Sequence, residues 1–454
     1  MTFLGASMLS GISAQVSPLQ VDTLKETKIP DQWDLQSCID YAKEQNITIR
    51  KNRITAASTQ IDVKTAKAAM FPSLSFSTGQ QVVNRPYQET SSRVSGSEII
   101  SSNSKTSYNG NYGLNASWTL YNGNKRLKTI QQEKLNNQMA ELDVATSENN
   151  IQESIAQVYI QILYAAESVK VNENTLQVSI AQRDRGQELL NAGSIAKSDL
   201  AQLEAQVSTD RYQLVTAQAT LEDYKLQLKQ LLELDGENEM NIYLPALSDE
   251  NVLAPLPTKR DVYISALSLR PEIEASKLNV EASELGINIA KSSYFPTISL
   301  SARIGTNHTS GSDFTFGEQV KNGWNNSIGL SVSVPIFNNR QTKSAVQKAK
   351  LQYETSMLSL LDEQKALYKT IESLWLDANS AQQRYAAANE KLKSTQISYE
   401  LISEQFNLGM KNTVELLTEK NNLLQAQQEQ LQAKYMAILN TQLLKFYQGD
   451  QLAL

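Results

Sequence analysis

A low-identity internal duplication constrains this chain more than any other feature, because whatever unit the first half builds the second half must build again. The segment 34–79 carries Ala66-Lys67 and then Phe71-Pro72-Ser73-Leu74-Ser75, and the segment 258–303 carries Ala290-Lys291 and then Phe295-Pro296-Thr297-Ile298-Ser299, 224 residues later. Further on, Gly113-Leu114 and Leu120-Tyr121-Asn122 meet partners in Gly329-Leu330 and Ile336-Phe337-Asn338 at an offset of 216, so one loop is eight residues shorter in the second half. The same 216 pairs Asn191-Ala192-Gly193 with Asn407-Leu408-Gly409, Leu200 with Leu416, and Leu228 with Leu444. Any one match is uninformative; the colinearity of all of them is the signal.

Each half reads as helix, strand pair, helical hairpin. Tyr112, Leu114, Ala116, Trp118 and Leu120 alternate with Gly113, Asn115, Ser117 and Thr119, and Ile328, Leu330, Val332, Val334 and Ile336 alternate with Ser327, Gly329, Ser331 and Ser333. Leu74 and Phe76 interleave with serines in the same way, as do Ile298, Leu300, Ala302 and Ile304. Period two with one apolar and one small polar face predicts four strands in two hairpins. The connections, about 84–107 and 307–323, are rich in Ser, Asn and Gly and read as solvated loops, which places the single histidine, His308, in a loop.

The helices exceed globular lengths. No proline interrupts 123–192, a stretch that would extend about 100 Å as one helix. Beyond Gly193, Leu200, Val207, Leu214, Leu221 and Leu228 recur every seven residues, with Leu203, Ala217, Tyr224 and Leu231 at the intermediate position and Asp210 as the exception. The second half repeats this with Leu417, Leu424, Leu431 and Ile438 beside a second column containing Leu416, Leu423 and Leu444. Two adjacent heptad seams mean that a helix packs on both sides, as in a wall or ring. Gly193 and Gly409 read as turn glycines between helices; Gly186 and Gly286 read as close-packing points.

Composition removes other classes. With 454 residues, 18 Gly and 10 Pro, the chain is neither collagen-like nor a small scaffold. One cysteine (Cys38) and one histidine exclude a disulfide framework and Cys/His zinc sites. The formal net charge of −6 gives no basic balance for nucleic acid. No Walker loop, nucleophile elbow or HExxH motif occurs, so no enzyme, metal or cofactor is expected. Residues 1–14, apolar and small and ending Ser13-Ala14, read as a residual signal peptide lacking its basic start; a plain apolar tail is the alternative. No later segment is apolar enough for a membrane helix, so any crossing falls to the strands.

These residues resemble the TolC family of outer-membrane efflux channels over nearly the whole mature chain. Trp33-Asp34-Leu35 with Cys38-Ile39 and 42–46 looks like the family's opening helix, and Phe71-Pro72 and Phe295-Pro296 look like its helix-to-strand entries. Leu120-Tyr121-Asn122-Gly123 and Pro335-Ile336-Phe337-Asn338 look like its strand-to-helix exits; Asn191-Ala192-Gly193 and Phe406-Asn407-Leu408-Gly409 look like its hairpin tips. The resemblance implies a mainly α fold with membrane β: long antiparallel helical hairpins forming an α-barrel, plus four strands per chain of a shared transmembrane β-barrel, closed by a homotrimer. Its units would be 1–14 signal, 15–32 extended segment, 33–72 helix, 73–121 β-hairpin, 122–235 helical hairpin and 236–257 linker. The second repeat would supply 258–296 helix, 297–337 β-hairpin and 338–454 helical hairpin with tail. It further implies an outer-membrane exit duct working passively, with a periplasmic adaptor, an inner-membrane pump reached through it, and outer-membrane lipid as partners. Cys38 follows Gln36-Ser37 and reads as a core residue, not a lipid anchor. A coiled-coil structural protein outside the membrane is the alternative, though it has no use for four strands with apolar faces.

By the same resemblance the periplasmic gate maps to Ser198, Asp199, Phe406, Lys411, Glu415 and Thr418, and adaptor docking to Ala192, Gly193, Ser194, Leu408, Gly409 and Met410. Phe406 stands where the family has a gating tyrosine and Thr418 where it has a second acid. Three converging copies of Glu415 would attract cations. Equally, Asp199 and Glu415 fit as solvated first-turn residues favoured by the helix dipole, and the tip residues as turns chosen for chain reversal. Trp118 and Tyr112 fit an interfacial aromatic girdle or packing against a neighbour.

Overall fold

The computed structural model describes residues 30–87, 91–95, 98–102, 105–235, 240–245, 252–310 and 314–453. The signal reading of 1–14, and parts of the extended segment and linker, lie outside them. In chain order the elements are α1 (Leu35–Gln45), α2 (Ile47–Ala68), β1 (Ser73–Asn84), β2 (Ser91–Ser95), β3 (Glu98–Ser102), β4 (Thr106–Asn122), α3 (Lys125–Asn191) and α4 (Lys197–Leu231). The second half runs α5 (Lys259–Leu269), α6 (Pro271–Ser292), β5 (Thr297–Thr309), α7 (Phe316–Asn322), β6 (Asn325–Ser333), α8 (Gln341–Asn407) and α9 (Thr413–Gln448). Helix lengths recur as 11, 22, 67 and 35 residues in the first half against 11, 22, 67 and 36 in the second. Every described residue with positive φ also recurs at a spacing of 216: Gly123 and Asn339, Asn124 and Arg340, Gly193 and Gly409, Glu233 and Gly449.

The stretch read as one helix over 33–72 is two. Asn46 ends α1 with extended backbone and caps α2, its side-chain oxygen accepting from the Thr48 N–H at 2.9 Å while its amide donates to Leu231 O at 3.0 Å. In the second half the break is set by Arg270-Pro271, because proline is tolerated only in a helix's first turn.

The four main strands form one antiparallel sheet in the order β1-β4-β5-β6. Register places Phe76 beside Leu114 and Leu114 beside Ile304 on one face, and Ser75 beside Asn115 and Asn115 beside Arg303 on the other. The apolar face is bare: Leu74, Phe76, Ile328, Leu330 and Val332 are all exposed. The last strand ends at Ser333 and not at Ile336, because Pro335 has no N–H to donate.

Both loop readings need correction. The first connection contains the β2–β3 hairpin, with Ser91 opposite Ser102, and the second contains α7, closed by a capping box between Thr315 and Glu318. His308 lies in strand β5 opposite Gly110, where the missing Cβ leaves room for its ring. The ring stacks on Tyr112 at 5.9 Å and meets Phe316 edge-on at 5.0 Å. At the opposite edge of the sheet Trp118 Nε1 donates to Met70 O at 2.7 Å.

The apolar core lies mid-helix, away from the sheet. Ile155, Tyr159, Ile162 and Leu163 of α3 pack with Cys38 and Ile39 of α1, Leu228 of α4, Tyr385 of α8 and the C-terminal half of α9. Trp33 pins the linker there: its N–H donates to Asn241 O and its carbonyl accepts from Tyr243 N, both at 2.8 Å. Among the described residues no helix is long and apolar enough to cross a membrane. Gly186 is a close-packing point, since a Cβ there would lie 2.5 Å from Leu203 Cδ1; at Gly286 it would meet only Gln132 Nε2, at 3.7 Å, so that reading is not needed.

Candidate functional site

The chain reverses twice at the far ends of its long helices, each time by the same backbone device. After α3, Gly193 N–H donates to Leu190 O at 2.9 Å and Ser194 N–H to Leu189 O at 2.8 Å. After α8, Gly409 N–H donates to Phe406 O at 2.9 Å and Met410 N–H to Gln405 O at 2.8 Å. These are Schellman turns, and they demand the left-handed conformation that both glycines hold, φ 74° and 75°. A Cβ on either glycine would touch nothing within 4 Å, so backbone conformation alone requires them. Ala192, Ser194, Leu408 and Met410 are all exposed around these turns, which brings the six candidate docking residues to the surface of two equivalent tips.

The candidate gate residues occupy the first turn of α4, the last turn of α8, and the first two turns of α9 with Lys411 just before its N-cap. Asp199 accepts from the Ala196 N–H at 3.0 Å, and Glu415 accepts from the Asn412 N–H at 3.2 Å while Asn412 Oδ1 accepts from the Glu415 N–H at 2.9 Å. Both acids therefore satisfy orphan backbone donors at helix starts. Glu415 has a second partner, Lys411 Nζ at 2.6 Å. The Lys411 hydrogen bond, then the Asn412 N–H, hold its carboxyl below the usual carboxylate range. Thr418 is exposed, its hydroxyl donating to Val414 O at 2.7 Å, and Ser198 is exposed. Phe406 is 3% exposed, in the last turn of α8. The structure thus groups Lys411, Glu415 and Thr418 on α9 and its approach, with Ser198 and Asp199 at the equivalent place on α4 and Phe406 buried at the end of α8.

Sequence reasoning missed what ties the two hairpins together above the tips. Lys420 of α9 reaches Asp210 of α4 and Ser179 of α3, and Ser179 also donates to Asp210, in a cluster with Lys420 3% and Asp210 1% exposed on their side chains. Gln182 of α3 donates to Tyr399 of α8 at 2.8 Å, and Gln206 of α4 to Asn421 of α9 at 3.3 Å. The signal was present in Asp210, the one acid in an apolar heptad column.

The sequence model described as outer membrane efflux protein matches residues 38–233 and 262–449. Outer membrane efflux protein BepC of Brucella suis biovar 1 (strain 1330) is 24% identical over 294 residues, covering 64% of this chain and 61% of the relative. Outer membrane protein TolC of Escherichia coli (strain K12) is 24% identical over 294 residues, covering 63% and 58%. The chain thus spans less than two thirds of the length of either relative. The solved structure of CusC shares the fold, with a TM-score of 0.77 at 18% identity over 92% of both chains.

Proposed function

Because the chain belongs to the outer membrane efflux protein family, we propose that it is the outer-membrane exit duct of a tripartite efflux or type I secretion system. It would be a passive conduit, gated at its helical tips and without chemistry of its own. The observation that carries this reading is the four-stranded sheet whose apolar face is uncovered at Leu74, Phe76, Ile328, Leu330 and Val332, joined to two 67-residue helices. Such a face is untenable in water and suited to lipid. The outer edges of β1 and β6 lack partners among the described residues, and open edges in lipid leave backbone groups unsatisfied. Closure by copies of the chain would satisfy them; the family resemblance makes those copies a trimer with a twelve-stranded barrel and the helices continuing as an α-barrel in the periplasm. The recurrence of helix lengths and of positive-φ residues at 216 supports reading the two halves as repeats. The tips are the surface offered to a periplasmic adaptor, which would couple the duct to an inner-membrane pump.

A planar-bilayer recording on detergent-extracted, oligomeric protein tests the reading. We expect a small cation-selective conductance that increases in Glu415→Ala. Silence from folded wild-type and variant protein alike would instead support a structural coiled-coil role.

A further inference from the structure

The four points where helix meets strand lie at one edge of the sheet: Thr297 is in register with both Asn122 and Ser333, and Ser73 with Ser117. Around this edge the charge is one-sided. Segments 63–72, 121–132, 285–296 and 335–347 contain eight Lys or Arg and no Asp or Glu, in a chain whose formal net charge is −6. Arg126 and Lys128 have structural work, donating to Ala69 O at 3.0 Å and Asn288 O at 3.3 Å, at the carbonyl ends of α2 and α6. The other six, Lys64, Lys67, Lys125, Lys291, Arg340 and Lys343, are exposed, and none forms an ion pair among the described residues. Exposed lysines farther along the helices do pair, as Lys277 with Glu274, Lys391 with Glu429 and Lys393 with Glu390.

Helix dipoles account for Lys64, Lys67 and Lys291, near helix C-termini, but oppose Lys125, Arg340 and Lys343, which sit at helix N-termini where acids are favoured. Those N-termini add positive potential: α3 and α8 have no acid in the first turn, and neither N-cap residue, Asn124 or Arg340, caps with its side chain. At the same level Phe71, Tyr294, Phe295, Ile336 and Phe337 are exposed, Ile336 at 96% and Phe337 at 81%. Exposed aromatics beside unpaired basic groups, at the foot of an apolar sheet, match the boundary between acyl chains and headgroups.

We infer that this basic collar binds the anionic headgroups of phospholipids in the leaflet abutting the helices. It fixes how deeply the barrel sits and holds the helix-to-strand junctions of neighbouring copies at one level. The inference rests on the exit-duct reading above, since it requires the sheet to lie in a bilayer.

The test uses the full chain reconstituted in vesicles of phosphatidylcholine with a minor fraction of phosphatidylglycerol, one or other lipid carrying brominated chains. Trp118, at the collar, is the fluorescent reporter, its signal isolated by comparison with Trp118→Phe. Phosphatidylglycerol should be enriched around the reporter about fivefold over its mole fraction. The enrichment should vanish in 0.5 M NaCl and in the combined variant Lys67→Gln, Lys291→Gln, Arg340→Gln, Lys343→Gln. It should persist in the remote control Lys391→Gln, Lys393→Gln. Quenching that follows mole fraction alone, or enrichment insensitive to salt, overturns the inference even if the combined variant does not fold. A protein that conducts ions yet shows no headgroup selectivity overturns this inference alone; one that never enters the vesicles overturns the duct reading with it.

Discussion

Lys420 and Asp210 form an ion pair between α9 and α4 in which both side chains are almost wholly removed from solvent, with the Ser179 hydroxyl of α3 bound to both. Burial pulls the Lys420 ammonium below its ordinary value, and the Asp210 hydrogen bond and charge work against that pull. Desolvating both groups costs more than a neutral contact would, so the pair is a poor source of stability and a strong source of register. It fixes which turn of α9 faces which turn of α4.

Removing one partner leaves the other charge buried alone, at a cost of about 3–5 kcal/mol. Asp210→Leu and Lys420→Met should therefore each lower the thermal unfolding midpoint strongly. The double variant should recover most of the loss while changing tip crosslinking patterns. Additive losses in a double-mutant cycle would show that the two side chains act independently.

The tip glycines give a separable prediction. Gly409→Ala introduces no clash, because no atom lies within 4 Å of the new Cβ, but it places an L-residue at φ 75°. The cost should be about 1 kcal/mol, and Gly409→Asn should cost less, since asparagine tolerates the left-handed region. Thermal melts of both variants check the order, and Gly193 should behave like its counterpart.

Acid should act on the tip later than an ordinary glutamate suggests. The Lys411 hydrogen bond and the Asn412 N–H lower the Glu415 pKa from its reference of 4.5. A carboxyl depressed in the folded state contributes fully above its unfolded pKa and loses that contribution as pH falls through the folded value. Divalent-ion block and low closed-state conductance that depend on Glu415 should thus persist from pH 7 to 4.5 and fade only below. Lys411→Gln should move that loss to higher pH. Single-channel recordings across this range at fixed divalent concentration provide the measurement.

Much of this architecture was legible because it is periodic. Strand alternation through Leu114 and Leu330, heptads through Leu200 and Leu228, and the glycine turns at 193 and 409 are local rules that survive low identity. What escaped was the non-periodic part. His308 read as a loop residue because its strand continues past the apolar band into Asn307 and Thr309, where a two-residue period has no hydrophobic contrast. The break at Asn46 was less legible because part of what fixes that residue is distant: its amide donates to Leu231 O, 185 residues away. Lys420 gave no sign of its partner, because lysine on a long helix is ordinarily solvated, whereas Asp210 already stood out in its seam.

Cys38 offers a chemical check on the core. Burial, with a smaller contribution from Asp34, pushes its thiol up to about 12, and the residue is fully buried in α1. At pH 8 the native chain should be inert to a disulfide reagent, since the thiolate is the reactive form. In denaturant one thiol per chain should react. Rapid native reaction would show that the packing of α1 against α3 opens readily.

The lumen should carry one fixed positive level. Arg303 is the only Lys, Arg, Asp or Glu in the four main strands. It lies on the small polar face between Asn115 and Ser327 in register, close to Gly305, where a Cβ would come 3.3 Å from its Nε. In a closed barrel each copy would contribute one guanidinium at the same height, a ring that favours anions and opposes the acids at the tips. On the proposal that the tip is the gate it would dominate resistance when closed, so the comparison belongs in a Glu415→Ala background. There Arg303→Glu should shift the reversal potential in a KCl gradient toward cation selectivity, and Arg303→Lys should leave it in place. The shift should be larger at 0.1 M than at 1 M salt, because the screening length falls from about 10 Å to about 3 Å. An unchanged reversal potential in Arg303→Glu at both concentrations would place this side chain outside the conducting path.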